Sequence, residues 1–511
     1  MADLIDLRKT EAIPITTGAS GSVRPEMQFY NRVTPANLSE ISRGLLSGRR
    51  SVRNLFPPED QKPPASANPE ETRMFLSIKT RKKSRTKLAV ESLGCRIVPA
   101  VLLSKIDLDG DAQTDDVRII GDGQHTKIAI ADDGVSQIHM QIDANGDGDY
   151  ADAARGDLDT FFNYSGKSFV VDAQLRGGND SFVYVSTGAM SGSARNISVD
   201  LGAGYDTFNW TQNNSVTANS RIALDVTGGG GNDTISITHN EVRNSQMSVK
   251  VDAGLGNDTY NLAFDRIDDS ASVDVHTELG AGLNIHNADI HEVGFGNKAT
   301  FDMTVIGGNQ KDTIELRMHD DIGDGTIASR FSAVVDLLGG HDSFKALYDV
   351  GGNVFRVDDH SQASLVVRGG FGNDSISAGQ NGAIGTIRLD PDALLSIDLD
   401  GGAGNDTVVV DFGSANAFEN VGTIFVRMDG GYGNDVLSCL LANEVDTTGS
   451  YDVTVRGSAG NDTITFNLIN SGGTPTYGPA GGVILDGGTG IDSVINSNPA
   501  VTKGVGIETV I

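Results

Sequence analysis

A short phrase returns again and again from about residue 175 to the end of the chain: two glycines, a variable residue, then Gly-Asn-Asp. Its closing acid falls at Asp180, Asp206, Asp233, Asp258, Asp312, Asp342, Asp374, Asp406, Asp435, Asp462 and Asp492, with Asn284 in that place in a degenerate copy. Successive copies lie 25 to 32 residues apart. Twelve copies at that spacing describe a unit that cannot bury an apolar face alone and stacks on its neighbours. The length could hold two to four average domains, but a repeat array can be one long unit of any length.

The flanks of the phrase say what the unit is. Nine and seven residues before the acid the chain is apolar, as at Ile197 and Val199, Leu224 and Val226, or Val453 and Val455. Two and four residues after it the chain is apolar again, as at Phe208 and Trp210, Ile235 and Ile237, or Ile464 and Phe466. Period-two alternation on both sides means strand, tight glycine turn, strand. Glycine stands two residues before the acid in eleven of the twelve copies, Gln310 being the exception, which suits a backbone site needing φ > 0 or close packing of stacked turns. The fold expected is all-β, a right-handed parallel β-helix or related β-solenoid. Its length is on the order of 55–60 Å at ~4.8 Å per rung. A packed antiparallel hairpin array is the second choice. Residues 101–165 are expected to form a first, degenerate part of the solenoid, with strands at 117–120 and 127–130 around Gly121-Asp122-Gly123. Gly506 to Ile511 reads as a closing strand.

Charge divides the chain at about residue 100. Residues 1–100 carry 17 Lys+Arg against 10 Asp+Glu. The rest carries 22 against 58, which with the first part makes the net −29 of the whole. A body with a net charge of −36 argues against nucleic acid and anionic membrane as partners, since phosphate binding needs a basic face, and favours cations. Cys95 and Cys439 make no disulfide framework. There is no apolar run of about 18 residues, so no membrane span is expected.

Residues 1–73 read as a disordered extension or as the product of a misplaced start codon, with Met74 as the native start. Residues 74–100 read as a basic export motif. Within them, Val90-Glu91-Ser92-Leu93-Gly94-Cys95-Arg96-Ile97-Val98-Pro99-Ala100 resembles the N-terminal motif of large exported planctomycete proteins, with Gly94-Cys95 where that family has an acidic pair. The resemblance implies a secreted or cell-surface location.

The recurring phrase resembles the calcium-binding repeat of hemolysin-type (RTX) proteins, most closely at Gly401 to Val409 and Gly430 to Ser438. That resemblance implies Ca²⁺ held between stacked turns by loop carbonyls and the aspartates, here Asp180, Asp206, Asp233, Asp258, Asp342, Asp374, Asp406, Asp435, Asp462 and Asp492. The family repeats every nine residues, whereas this chain has one copy per coil. Six copies add an acid six residues earlier: Asp200, Asp252, Asp336, Asp400, Asp429 and Asp486. Stacked carboxylates about 5 Å apart repel by roughly 1 kcal/mol per pair in water. Such an edge invites a hard cation that takes six to eight oxygens. The alternative is a metal-free ladder of side-chain hydrogen bonds. Two further clusters place oxygens at positions 1, 3 and 5 of an EF-hand-like loop: Asp107, Asp109 and Asp111, and Asp143, Asn145 and Asp147. Neither has the closing Glu at position 12, where Arg118 and Ala154 stand.

No HExxH, GxSxG or phosphate-loop motif occurs. Two groups remain as candidates for catalysis or a transition metal: His276, His286, His291 and His319, and Arg356, Asp358, Asp359 and His360. The plainer reading of both is solvated outer-face residues. Cys439 and Trp210 read as core. The chain is thus expected to be an exported calcium-binding β-solenoid, not an enzyme. Its expected role is structural or adhesive, with calcium and surface or extracellular polysaccharide as partners. A polysaccharide lyase or hydrolase is the alternative.

Overall fold

The computed structural model describes residues 101–510 except 152–155, 165–166, 295–297, 324–326, 349–353, 381–385, 414–417, 421, 444–449, 471–475, 478–481, 497–501 and 504–508. The extension at 1–73 and the basic segment at 74–100 lie outside the described residues.

The chain begins with β1 (Val101–Ile106), β2 (Asp116–Gly121), β3 (Lys127–Asp132), β4 (Gln137–Asp143) and β5 (Leu158–Asn163), followed by β6 (Ser168–Gln174) and β7 (Ser181–Ser186). From β6 onward the rungs are parallel. Strands before the glycine turn pair only with their counterparts one coil away, so that Ile197, Leu224, Val249 and Val275 stand in one column. Strands after the turn do the same, giving the column Phe182, Phe208, Ile235 and Tyr260. A 16-stranded sheet and an 18-stranded sheet therefore run the length of the body, joined in every coil by the glycine turn. A shorter third face follows, where Met190, Val216 and Val242 pair rung on rung. The described residues contain no helix. This is a parallel β-solenoid. Parallel pairing in every repeat excludes the antiparallel hairpin array.

The inward column positions close the core. Ile197, Val199, Leu224, Val226, Phe208 and Trp210 are all buried. Identical registers stack like on like: Trp210 lies on Tyr184 at 4.3 Å between ring centroids, and Phe301 on Phe331 at 5.5 Å. Cys439 is buried between Val410 and Phe466 on neighbouring rungs. Its thiol is pushed up to about 12 by burial, the signature of packing rather than reactivity.

The N-terminal segment differs from the expectation. β2 and β3 do form a rung, with the anticipated turn between them, and pair in parallel with β6 and β7. But β1 runs antiparallel to β2, β4 to β3, and β5 to β4. Alternation alone does not distinguish the two directions, and the short connections between these strands permit hairpins. The result is a cap rather than a stack of coils. A solenoid needs one, because its last rung would otherwise offer open N–H and C=O groups. The cap is pinned by a buried ion pair, Arg195 to Asp132 at 2.5 Å, both side chains fully shielded. Arg195 also donates to the Tyr164 hydroxyl, and the Tyr184 hydroxyl donates to Asp132. At the far end, Thr509–Val510, the described part of the strand expected over 506–511, pairs in parallel with Ser493–Asn496.

The glycine two residues before the acid is required by contact as much as by conformation. At Gly231, φ is 140°, and a Cβ would lie 1.4 Å from the carbonyl oxygen of Gly204 one coil back. The same collision recurs at Gly256, Gly282, Gly372, Gly404 and Gly433. The neighbouring Gly230 has open space around its Cβ position. Gly231→Ala is therefore expected to cost about 3 kcal/mol or more in urea unfolding, and Gly230→Ala less than about 0.5 kcal/mol. Equal effects of the two substitutions would refute the stacking account.

Candidate metal centre

The repeat aspartates form one continuous structure. The backbone N–H of each donates to Oδ1 of the aspartate one coil further on, from Thr126 through Asp180, Asp206, Asp233 and Asp258 to Asn284, at 2.6–2.9 Å. The chain continues through Asp312, Asp342, Asp374, Asp406, Asp435 and Asp462 to Asp492 at 2.6–3.1 Å. These side chains are buried, 0–3% exposed. One residue earlier a second ladder runs the other way. Asn405 donates its N–H back to Asn373 Oδ1, Asn434 to Asn405, and Asn461 to Asn434, at 2.7–2.8 Å. Each turn is thus stapled to the coils on both sides.

The second oxygen of the aspartates is the unsolved part. Oδ2 of Asp180, Asp206, Asp233, Asp258, Asp342, Asp374, Asp406, Asp435 and Asp462 is buried without a hydrogen-bond partner. Asn284 shows what that atom faces: its amide nitrogen donates to the carbonyl of Leu279, five residues earlier, at 3.1 Å. In the other coils an acid oxygen takes the place of that donor. Asp312 solves the problem differently, accepting from the N–H of Gly308 at 2.7 Å. Burial, against the opposing N–H bonds, raises Asp180, Asp233 and Asp406 to about 7 and Asp258, Asp342 and Asp435 to about 6, with neighbouring aspartates adding to it at all of these but Asp258.

The earlier acids lie at or near the ends of strands of the first sheet. Asp200, Asp252, Asp336, Asp400, Asp429 and Asp486 are partly or fully exposed and share one column. The expectation of an unrelieved acidic edge does not hold along this column. Arg368 separates Asp336 from Asp400, and Arg456 separates Asp429 from Asp486. Asp400 and Asp429 are direct neighbours, and burial followed by the charge of Asp429 raises Asp400.

The two N-terminal loops gather carboxylates more closely. Asp107 and Asp109 lie with Asp116, and Asp143 and Asp147 with Asp157, each trio offering ligand atoms within 4.8 Å of one another. Asp107 accepts from the N–H groups of Gly110 and Ala112 at 2.7 and 3.1 Å, and Asp143 from those of Gly146 and Gly148 at 2.7 and 2.8 Å. Asp111 and Asn145 instead accept from the N–H two residues ahead. The closing acids were not anticipated. Asp116 starts β2, is fully buried, and accepts from Leu108, Asp109 and Val170. Asp157, just before β5, accepts from Ala144 at 2.9 Å. Burial, then the charge of Asp109, raises Asp116. At Asp143 burial is outweighed by its N–H donors and Lys127, which lower it.

The proposed histidine group divides. His286 is buried and stacks on Tyr260 at 4.6 Å, and His276 sits on the other sheet beside Glu278. Only His291 and His319 meet. In the second group, Arg356 is not a solvated outer residue: it pairs with Asp358 and Asp390, and Arg388 also reaches Asp390. Burial, and then the hydrogen bond with Asp390, holds Asp358 up at about 7. A further ladder escaped notice, thirteen residues before the repeat acid. Ser193 donates its N–H to Ser220 Oγ, Ser220 to Ser245, and Ser329 to Ser361, at 3.1–3.2 Å.

Compared with profiles of known protein families, with curated proteins and with solved structures, the chain matches none.

The pH dependence of the ladder follows from its raised acids. An aspartate at about 6–7 folded and about 3.9 unfolded contributes stability that is complete below pH 3.9 and lost as pH rises through 6–7. In chelator, the melting temperature should therefore rise as pH falls from 8 to 5. Asp233→Asn, supplying the donor that Asn284 supplies, should add about 1–2 kcal/mol at pH 8 and much less at pH 5. A melting temperature flat over that range, or a loss on substitution at pH 8, would count against a ladder that holds protons.

Proposed function

We propose that the chain is an exported, calcium-binding β-solenoid with a structural or adhesive role at the cell surface, and that its calcium is held by the loops of the N-terminal cap. One observation carries the assignment to these loops: each folds a third, largely buried carboxylate from outside its Asp-x-Asp/Asn run onto the run itself, Asp116 onto Asp107 and Asp109, Asp157 onto Asp143 and Asp147. Oxygen-only donor sets of high negative charge suit Ca²⁺, with loop carbonyls and water completing the shell. Asp111 and Asn145, at position 5 of one loop and position 3 of the other, lie beside these groups. The ladder aspartates act as staples in this reading, because their Oδ1 atoms are already occupied and their Oδ2 atoms are shielded from solvent. Calcium between the turns, as the RTX-like phrase suggests, is the competing assignment.

The surface role draws on the acidic body, the export-like motif and a rod built by nearest-neighbour stacking. Such rods carry extended faces for polymeric partners, and extracellular polysaccharide is the partner class proposed. An enzyme acting on such a polymer is the second reading, favoured by the Asp358–Asp390 pair beside Arg356 and Arg388. Two carboxyls held at different proton affinities are what acid–base cleavage of a glycan uses. Release of reducing ends or unsaturated uronates from acidic polysaccharide, abolished by Asp358→Asn, would favour it.

The calcium reading is tested on protein stripped of divalent ions, by thermal unfolding during Ca²⁺ titration with Mg²⁺ as control. A calcium-specific rise in melting temperature is expected, equivalent to about 2.7 kcal/mol at a hundredfold excess over Kd. The double substitution Asp107→Asn, Asp143→Asn should abolish most of it, while Asp233→Asn leaves it in place. No shift at millimolar calcium would sink the proposal. A shift lost with Asp233→Asn would move the ions to the turns.

A further inference from the structure

We propose that Asp289, His291 and His319 form a binding site for a divalent transition-metal ion of the Zn²⁺ class, which clamps two consecutive coils. The parallel register makes the site. Residues 285–290 pair with 313–318, and just beyond them the N–H of His319 donates to the carbonyl of Ile290 and that of Asp320 to the carbonyl of His291, both at 3.0 Å. The two imidazoles are therefore held one above the other, 4.2 Å between centroids and 17° from parallel. Asp289 lies between their reach. His319 Nε2 is hydrogen-bonded to its Oδ1, and His291 Nε2 stands 3.8 Å from the same oxygen. All three ligand atoms lie within 4.8 Å of one another. A tetrahedral ion with bonds of about 2.0–2.2 Å holds its ligand atoms roughly 3.3–3.5 Å apart, so side-chain rotation of an ångström or so completes the set.

The surroundings suit a cation and orient the ligands. The other nitrogen of His291, Nδ1, faces Asp265 Oδ1 at 3.9 Å and Asp320 Oδ2 at 3.8 Å. A carboxylate behind a ligating imidazole sets its tautomer and raises its basicity. The place in the fold also matters. The two coils joined are those that follow Asn284 and the turn carrying Gln310 and Lys311, where the repeat phrase is most eroded and the ladder bond, at 3.1 Å, is at its longest. A second clamp stands where the first is weakest.

Imidazole ligation selects first-row ions over Ca²⁺, so this site and the calcium loops are separable. The experiment is a Co²⁺ titration of the full chain in the presence of millimolar Ca²⁺, read by visible ligand-field absorption, followed by displacement with Zn²⁺. A saturable band at one Co²⁺ per chain is expected, bleached by Zn²⁺. His291→Gln and His319→Ala should each weaken binding at least tenfold, and His276→Ala should leave it unchanged. His291 is on the exposed rim, so its substitution leaves the core intact. Absence of a saturable band in the unmodified chain would overturn the proposal, as would a band that survives both substitutions. A calcium response lost in the cap variants but with the cobalt band retained would leave this site standing alone.

Discussion

The fold rests on a backbone N–H at each glycine turn that, like the donors of the sheets, points toward the next coil but lies outside the strands. A tight turn buried against its neighbours leaves that donor without a strand partner, and an unpaired buried N–H costs about as much as a lost hydrogen bond. The repeat aspartate supplies the acceptor from the next coil. This fixes the rung spacing at the turn to that of the sheets, so both sheets continue in register through every corner. The glycine two residues earlier lets the stacked turns approach closely.

Everything else in the body is nearest-neighbour packing. Columns such as Tyr184–Trp210 and Phe301–Phe331 bury apolar area between adjacent coils and nothing further away. Stability is then close to a sum of coil and interface contributions, with the ends exposed to fraying. The antiparallel strands β1, β4 and β5, with the Arg195–Asp132 pair beneath them, cover one end. A buried pair of this kind adds little stability over an apolar core, yet breaking it is expensive. Its value is in fixing how the cap sits on the first rung.

Much of this was legible in the residues. Period-two alternation on both sides of a glycine phrase leaves no reading but strand, turn, strand, and a spacing of 25 to 32 residues between phrases leaves little but stacking. What was hidden follows a physical pattern too. The serine ladder thirteen residues before the acid is invisible to hydropathy, because Ser and Ala share the position and neither marks a core. Asp116 and Asp157 lie at unequal distances from the runs they close, since strand direction, not spacing, returns them. The grouping of four histidines failed because a column joins residues one coil apart: His291 and His319 share one, while His276 belongs to the opposite sheet and His286 points inward.

The choice of aspartate over asparagine is the deeper constraint. Asn284 performs the same bond to the preceding N–H and satisfies its second atom as well, donating to Leu279. On hydrogen bonding alone the amide is the better ladder residue at neutral pH, and in eleven of twelve copies the chain carries the acid. A buried acid at eleven of the twelve junctions makes stacking sensitive to pH: burial raises these carboxyls, so the coils are held more firmly when the acids carry their protons than when they are bare. The amide at every step would build a stack indifferent to pH. The acid ties stacking to its surroundings, with the permissive Asn284 step placed in the middle of the array.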